Sequence, residues 1–192
     1  MNNRRQFVAS ALCLAGAAPF ARAQQPPDSS AVAGLRSGGT VLLLRHAQTD
    51  PGVGDPPGFR LGSCSTQRNL SESGRAQARA IGADVMAQGL RPAAVKSSAW
   101  CRCVDTATLA FGRAEPWAAL NSLFQDRDAE AAQTKALQAG LAAVAPWRFE
   151  VWVTHAVNIM ALCSESVAMG EGVVLRAGVG QVHNLGRLKL AG

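Results

Sequence analysis

Two short apolar runs constrain this chain more than any other feature. Residues 40–44 (TVLLL) and 149–154 (FEVWVT) are too short for self-sufficient helices, and each leads straight into chemistry: Arg45-His46 follows the first, His155 the second. Near-continuous apolar runs of this length read as strands covered on both faces, the condition of a parallel sheet. Between and around them, helices, loops and further strands alternate. Residues 50–62 are crowded with Gly and Pro and form a loop. Ser71 is a natural N-cap with Glu72 in the first turn, and Ala78, Ile81 and Val85 follow at helical spacing until Gly89. The pattern predicts a strand over 93–97, a helix over 102–111 stopped by Gly112, and an Ala-rich helix over 128–144 bounded by Pro146. A helix over 158–167 and two short tail strands near 173–176 and 181–190 complete it. This alternation specifies an α/β domain, a three-layer sandwich with a mostly parallel central sheet flanked by helices. Residues 31–192 show no repeat and no composition shift, so they form one domain.

The first 23 residues read as an address. Arg4-Arg5 precede an apolar stretch over 7–20, and Ala21-Arg22-Ala23 supplies a small-x-small cleavage site, the order of a secretory signal peptide. The stretch spans 14 residues, whereas crossing a bilayer core takes about 20, so no stable membrane anchor is expected. Asn3-Arg4-Arg5-Gln6-Phe7 also resembles a twin-arginine export signal. The expected location is therefore periplasmic or secreted, with residues 24–30 as a polar linker. Cleavage removes three arginines and no acid, so the +6 chain becomes a 169-residue domain at +3. That modest charge, with 5% aromatics, no Tyr and no Lys/Arg run, argues against a nucleic-acid partner.

The basic residues are 16 Arg against 3 Lys, which favours forked recognition of oxyanions over a diffuse basic coat. In open parallel sheets, ligands bind beyond the carboxyl ends of the strands. Arg45, His46 and His155 lie just past two such ends, and Arg102 opens the helix after the strand at 93–97. Two guanidinium forks and two imidazoles at one edge make a pocket for a tetrahedral oxyanion. A neutral imidazole there can attack phosphorus and split ester hydrolysis into two transfers. His183 falls outside this pattern and reads as structural; Trp100, Trp117, Trp147 and Trp152 read as core, and Asp105 and Glu165 as helix-surface charges. No GxGxxG follows a strand, so no dinucleotide site is expected.

Four segments raise these residues from a pattern to a resemblance. LLLRHAQTD (42–50), QRNLSESGRAQA (67–78), SSAWCRCVDTA (97–107) and VTHAVNI (153–159) resemble, in order and spacing, the blocks of the histidine phosphatase superfamily, the group that includes phosphoglycerate mutase. The resemblance implies a phosphoglycerate-mutase-like fold with His46 as phosphoryl acceptor, and Arg45, Arg102 and His155 as the phosphate site, with no metal and no cofactor. Thr49 is expected to bind the phosphate or brace the loop, and Arg68 to touch the substrate or pair with an acid. Members that cleave alkyl esters carry a carboxylic acid between the second Arg and the second His. Here the candidates are Asp126, Asp128 and Glu130: Asp126 is placed at the pocket edge, Asp128 as a helix cap and Glu130 in the first helical turn. A backbone carbonyl is expected to fix the tautomer of His46.

The expected activity is an exported phosphomonoesterase acting on a small phosphate ester or an envelope phosphosugar; the likeness to envelope heptose-phosphate phosphatases points the same way. The alternatives are a phosphohistidine-protein phosphatase and a silent phosphate-binding module on the same fold; a mutase suits the compartment less well. Four cysteines remain after cleavage, an even number in an exported protein. Cys64 paired with Cys101 or Cys103 would tether the loop after His46 to the segment carrying Arg102. Cys101-x-Cys103 lacks the Cys-x-x-Cys step usual in metal sites.

Overall fold

The computed structural model describes residues 29–188; the predicted leader, residues 24–28 of the linker and residues 189–192 lie outside them. Six strands form one sheet in the order β3-β2-β4-β1-β5-β6. The two apolar runs become β1 (Thr40–Arg45) and β4 (Phe149–Thr154), parallel neighbours at its centre. The strands β2 (Ala94–Ser97) and β3 (Glu115–Pro116) extend the parallel half beyond β4. The tail strands β5 (Gly172–Ala177) and β6 (Val182–Leu188) add antiparallel on the β1 side.

Period-two alternation along β1 divides the core. Leu42 and Leu44 pack on one face with Ile81 and Val85 of α2 (Glu72–Ala87) and with Cys103 and Ala107 of α3 (Cys101–Phe111). Val41 and Leu43 pack on the other with Leu137 and Leu141 of α4 (Glu130–Ala142) and Ile159 of α5 (Ala156–Cys163). Three layers result, as the sequence predicts. Trp152, fully buried in β4, meets Trp117 edge-on with ring centroids 5.0 Å apart, a geometry that adds to the area both rings bury.

Several boundaries differ from those expected. Helix α1 (Ser29–Ser37) begins inside the predicted linker, because Ala31 and Leu35 are buried one turn apart against the sheet. Helix α4 starts at Glu130 rather than residue 128. Helix α5 begins directly after His155 and stops at Cys163, where Ser164 turns left-handed at φ 58°. Glu165 therefore lies beyond that helix, paired with Arg187. Trp147, expected in the core, is 75% exposed, and His183 sits exposed on β6. Helix α2 begins as predicted, with Ser71 Oγ accepting from the Gly74 N–H at 3.0 Å. A Cβ on Gly74 would lie 1.8 Å from the Gln48 carbonyl, so only glycine lets this helix approach the loop after His46.

Candidate active site

The register pairing Arg45 with Thr154 sets the next residues, His46 and His155, abreast at the carboxyl edge of the sheet. Their ring centroids are 5.5 Å apart, and both are buried, at 3% and 4% exposure. The N–H of His46 bonds to the Thr154 carbonyl at 3.0 Å, and the N–H of Ala47 donates to Thr106 Oγ1 at 3.0 Å. Thr106 Oγ1 in turn donates to the Arg102 carbonyl at 2.6 Å, so β4 and α3 jointly hold the loop that begins at His46.

The imidazole of His46 has one defined tautomer. Its Nδ1 lies 2.9 Å from the Ala47 carbonyl, an acceptor only, so Nδ1 carries the proton and Nε2 keeps its lone pair. Burial, reinforced by the charges of Arg102, Arg45 and Arg68, pushes its pKa down to about 3 despite the opposing bond to Ala47. His155 is also held well below the ordinary imidazole range, first by burial and then by His46 and the same arginines. Its Nδ1 is 3.5 Å from Arg102 Nη2, a donor, while Nε2 lies 2.9 Å from Ser98 Oγ and donates to it. Neutral His155 thus has no hydrogen left for an incoming anion, which departs from the simple donor role expected for it.

Three guanidiniums surround these rings. Arg45, at the end of β1, donates from Nη1 to the Val167 carbonyl at 2.8 Å. Arg102, at the start of α3, is 4% exposed and has its fork engaged by Asp55: Nη1 to Oδ1 at 2.7 Å and Nη2 to Oδ2 at 3.2 Å. The clamp expected of Arg102 is therefore partly occupied from within, because a buried cation beside two others requires a counter-ion. The Nε atoms of Arg45 and Arg102 are both buried without a partner.

Asp55 is the principal residue that sequence reasoning missed. It also accepts from Trp100 Nε1 at 2.9 Å and from the Arg68 N–H at 3.0 Å. Burial raises its pKa, but the bonds from Arg102, Arg68 and Trp100 outweigh that and hold it below the ordinary carboxylate value. Arg68 spends its side chain on the loop, donating to Thr49 Oγ1 at 2.7 Å, to the Gly54 carbonyl at 2.9 Å and to the Gly52 carbonyl at 3.0 Å. Of the two roles expected for Thr49, bracing is the one its contacts serve; it also lies 3.8 Å from Met169 Sδ.

A cavity of about 470 Å³ opens above Arg45, His46, Arg102 and His155. Of the three candidate acids, Asp126 lines it, from its exposed rim. Asp128 does not cap α4, whose N-cap is Ala129 with no side-chain bond; Asp126 Oδ1 accepts from the Ala129 N–H at 3.3 Å and closes the turn before the helix. Glu130 pairs instead with Arg127 at 3.2 Å. Cys64 is disulfide-bonded to Cys101, joining the end of loop 50–63 to the start of α3. Residues 101 and 103 point roughly 200° apart around a helix, so only one can reach Cys64. Cys103 is buried with Sγ 3.5 Å from His155 Nε2, and burial pushes its thiol up to about 12. Among the described residues, no group of three His, Cys, Asp or Glu is placed to hold a metal, and no helix is long and apolar enough to cross a membrane.

Comparison with known proteins agrees with this geometry. The family model of the histidine phosphatase superfamily (branch 1) matches residues 41–169. Among solved structures, the protein of open reading frame Rv3214 from Mycobacterium tuberculosis is 17% identical, covering 79% of this chain and 97% of its own, with TM-score 0.58. The mycobacterial glucosyl-3-phosphoglycerate phosphatase is 20% identical over 79% and 97%, TM-score 0.54. The protein histidine phosphatase SixA, complexed with tungstate, is 13% identical over 78% and 96%, TM-score 0.53. At these identities the likeness is one of fold. A search of curated proteins found no match.

Proposed function

Because the chain belongs to the histidine phosphatase superfamily and is a phosphatase, we propose that it is an exported, metal-independent phosphomonoesterase working through a phosphohistidine on His46. The observation that carries this reading is the 2.9 Å bond from His46 Nδ1 to the Ala47 carbonyl. It leaves Nε2 as an unprotonated nucleophile inside a ring of guanidiniums.

Nε2 of His46 attacks the ester phosphorus as the P–O bond to the leaving group breaks. The Nε–H groups of Arg45 and Arg102, with Nη2 of Arg45 and of Arg68, are donors left for the phosphoryl oxygens, where transition-state charge is greatest; losing one such donor typically lowers kcat 10²–10³-fold. The cluster of Arg45, Arg68 and Arg102 with ionised Asp55 carries two net positive charges, the complement of a phosphate monoester dianion. Arrival of that dianion offsets the positive field on His155 and favours a second proton on its ring, turning Nδ1 into a donor. Asp126 protonates the departing oxygen, then takes a proton from the water whose oxygen attacks phosphorus. The P–N bond breaks and His46 is regenerated. The guanidiniums thus supply the positive charge that a metal ion supplies in other phosphatases.

A second reading, hydrolysis of phosphohistidine in proteins, is favoured by the exposed, rim position of Asp126, since an imidazole leaving group needs little help from an acid. The leader supports export, with the twin-arginine route supported by Arg4-Arg5.

The test is phosphate release from p-nitrophenyl phosphate in the presence of chelator, with an acid or base quench. Turnover with an alkali-stable phosphoenzyme, absent in His46→Ala, is expected. Turnover that survives His46→Ala, or that stops in chelator, overturns the mechanism; phosphate binding without turnover points to the silent module. Cell fractionation with and without Arg4→Lys and Arg5→Lys tests the export route.

A further inference from the structure

Above its cationic floor, the cavity changes character. Its walls are Phe59, Trp100, Val157 and Met169, and its mouth is framed by Val53 and Phe124. Val53 is 90% exposed and Phe124 53%, two large apolar side chains held in water on loops that face each other. The loops meet across the opening: a Cβ on Gly54 would lie 3.5 Å from Phe124 Cε1. Phe59 and Trp100 continue the apolar surface inward, ring centroids 5.8 Å apart, and Trp100 meets His155 in a T-shaped pair with centroids 5.4 Å apart.

The polar groups within reach of a sugar are few, and most are engaged. Arg68 gives its Nε and Nη1 hydrogens to Thr49 and two loop carbonyls, which leaves Nη2 to the phosphate end of the cavity. Asp55 is held by Arg102, Trp100 and the Arg68 N–H. Ser122 Oγ accepts from the Phe124 N–H at 3.3 Å, and Asp126 Oδ1 from Ala129. Gln125, Ser122 and Asp126 all belong to one short segment, so a polyol could satisfy hydroxyls on that side alone. Hydroxyls pressed against Val53, Phe59 or Trp100 would lose water without gaining a partner.

Resting on the phosphomonoesterase reading above, we propose that the leaving group is apolar, an alkyl or flat aryl group seated between Val53, Phe59, Trp100 and Phe124, in place of the phosphosugar that the compartment alone suggests. The dianionic phosphate is held at the floor, and the carbon skeleton covers the exposed rim side chains. Each methylene that reaches this surface is expected to raise kcat/KM roughly two- to fourfold.

The test measures kcat/KM for butyl, hexyl and octyl phosphate, all below their micelle concentrations, against glycerol 3-phosphate and glucose 6-phosphate. The alkyl series releases alcohols of equal basicity, and the polyols are the better leaving groups, so a higher kcat/KM for octyl phosphate reports binding of the organic group rather than leaving-group chemistry. The proposal expects kcat/KM to climb with chain length, octyl phosphate to exceed glucose 6-phosphate at least tenfold, and the climb to flatten in the Val53→Ser, Phe124→Ser double variant. Both positions are exposed, so the variant retains the core. A flat series, or glucose 6-phosphate turned over as efficiently as octyl phosphate, overturns the apolar assignment and leaves the phosphatase reading standing. Phosphate release from none of the five overturns both.

Discussion

Asp55 grips both terminal nitrogens of Arg102, Oδ1 at 2.7 Å and Oδ2 at 3.2 Å, from a loop 47 residues earlier in the chain. The loop after the nucleophile is thereby fastened to the helix that carries the second arginine. Both side chains are nearly inaccessible, at 6% and 4% exposure. A buried pair broken from one side leaves an uncompensated charge, which costs more than the pair itself contributes.

Asp55→Asn should therefore destabilise the protein by about 3 kcal/mol at neutral pH, read from urea denaturation. Because the folded-state pKa of Asp55 is lowered, its contribution is present above the unfolded carboxylate value near 4 and is lost as pH falls through the folded value. Wild type and Asp55→Asn should converge in stability as pH drops below about 4. Curves that stay parallel would show that the carboxylate is not the ionised partner of Arg102.

The buried imidazoles add a second loss of the same sign at milder pH. In the unfolded chain a histidine takes up its proton near 6.5, whereas folded His46 resists until about 3. Between those values the unfolded state binds more protons, so folding weakens as pH falls, by up to about 1.4 kcal/mol per pH unit for this one ring. From pH 7.5 to 5, wild type should lose about 2 kcal/mol more than His46→Gln in paired urea titrations. Equal losses would mean that His46 is charged in the folded state.

What was legible in the sequence follows from the length scale of each interaction. Strands β1 and β4, the Ser71 cap and the Gly112 stop depend on residues within one element, and they stand where periodicity places them. Arg45, His46, Arg102 and His155 come together because strand ends in a parallel sheet share an edge, a consequence of fold class alone. Asp55 was not legible: in a Gly/Pro loop a carboxylate has no periodic neighbour, and its partners Trp100 and Arg102 are set by how the loop folds over the sheet. The bond from the Ala129 N–H to Asp126, and the absence of a cap from Asp128, likewise depend on the turn that precedes α4.

The disulfide converts part of that loop geometry into a covalent constraint. Cys64 and Cys101 are 37 residues apart, a closure whose loss costs roughly 4 kcal/mol in the chain-entropy view. The Cys64→Ser, Cys101→Ser double variant, and wild type in reductant, should melt at lower temperature by comparable amounts. Kinetically the effect should fall mainly on activity against esters, because the tether adjoins Arg102 rather than the distant β5–β6 edge. Cys103, buried with its thiol pushed up to about 12, should resist alkylation in the folded protein. Rapid native labelling of Cys103, or no loss of thermal stability on reduction, would contradict this arrangement.

Asp126 offers the sharpest separation between the two readings of the reaction. A general acid matters in proportion to the basicity of the departing oxygen, since an alkoxide must be protonated as it leaves whereas a nitrophenolate need not be. Asp126→Asn keeps an acceptor oxygen for the Ala129 N–H, so the turn before α4 should persist and the variant should isolate the proton-transfer role. If Asp126 is the acid, kcat for an alkyl phosphate should fall 10²–10⁴-fold while that for p-nitrophenyl phosphate falls less than tenfold. Glu130→Gln, which removes only a surface partner of Arg127, should leave both rates within twofold. Equal losses on both esters would assign Asp126 to binding, and no loss on either would favour a substrate such as phosphohistidine, whose leaving group departs without an acid.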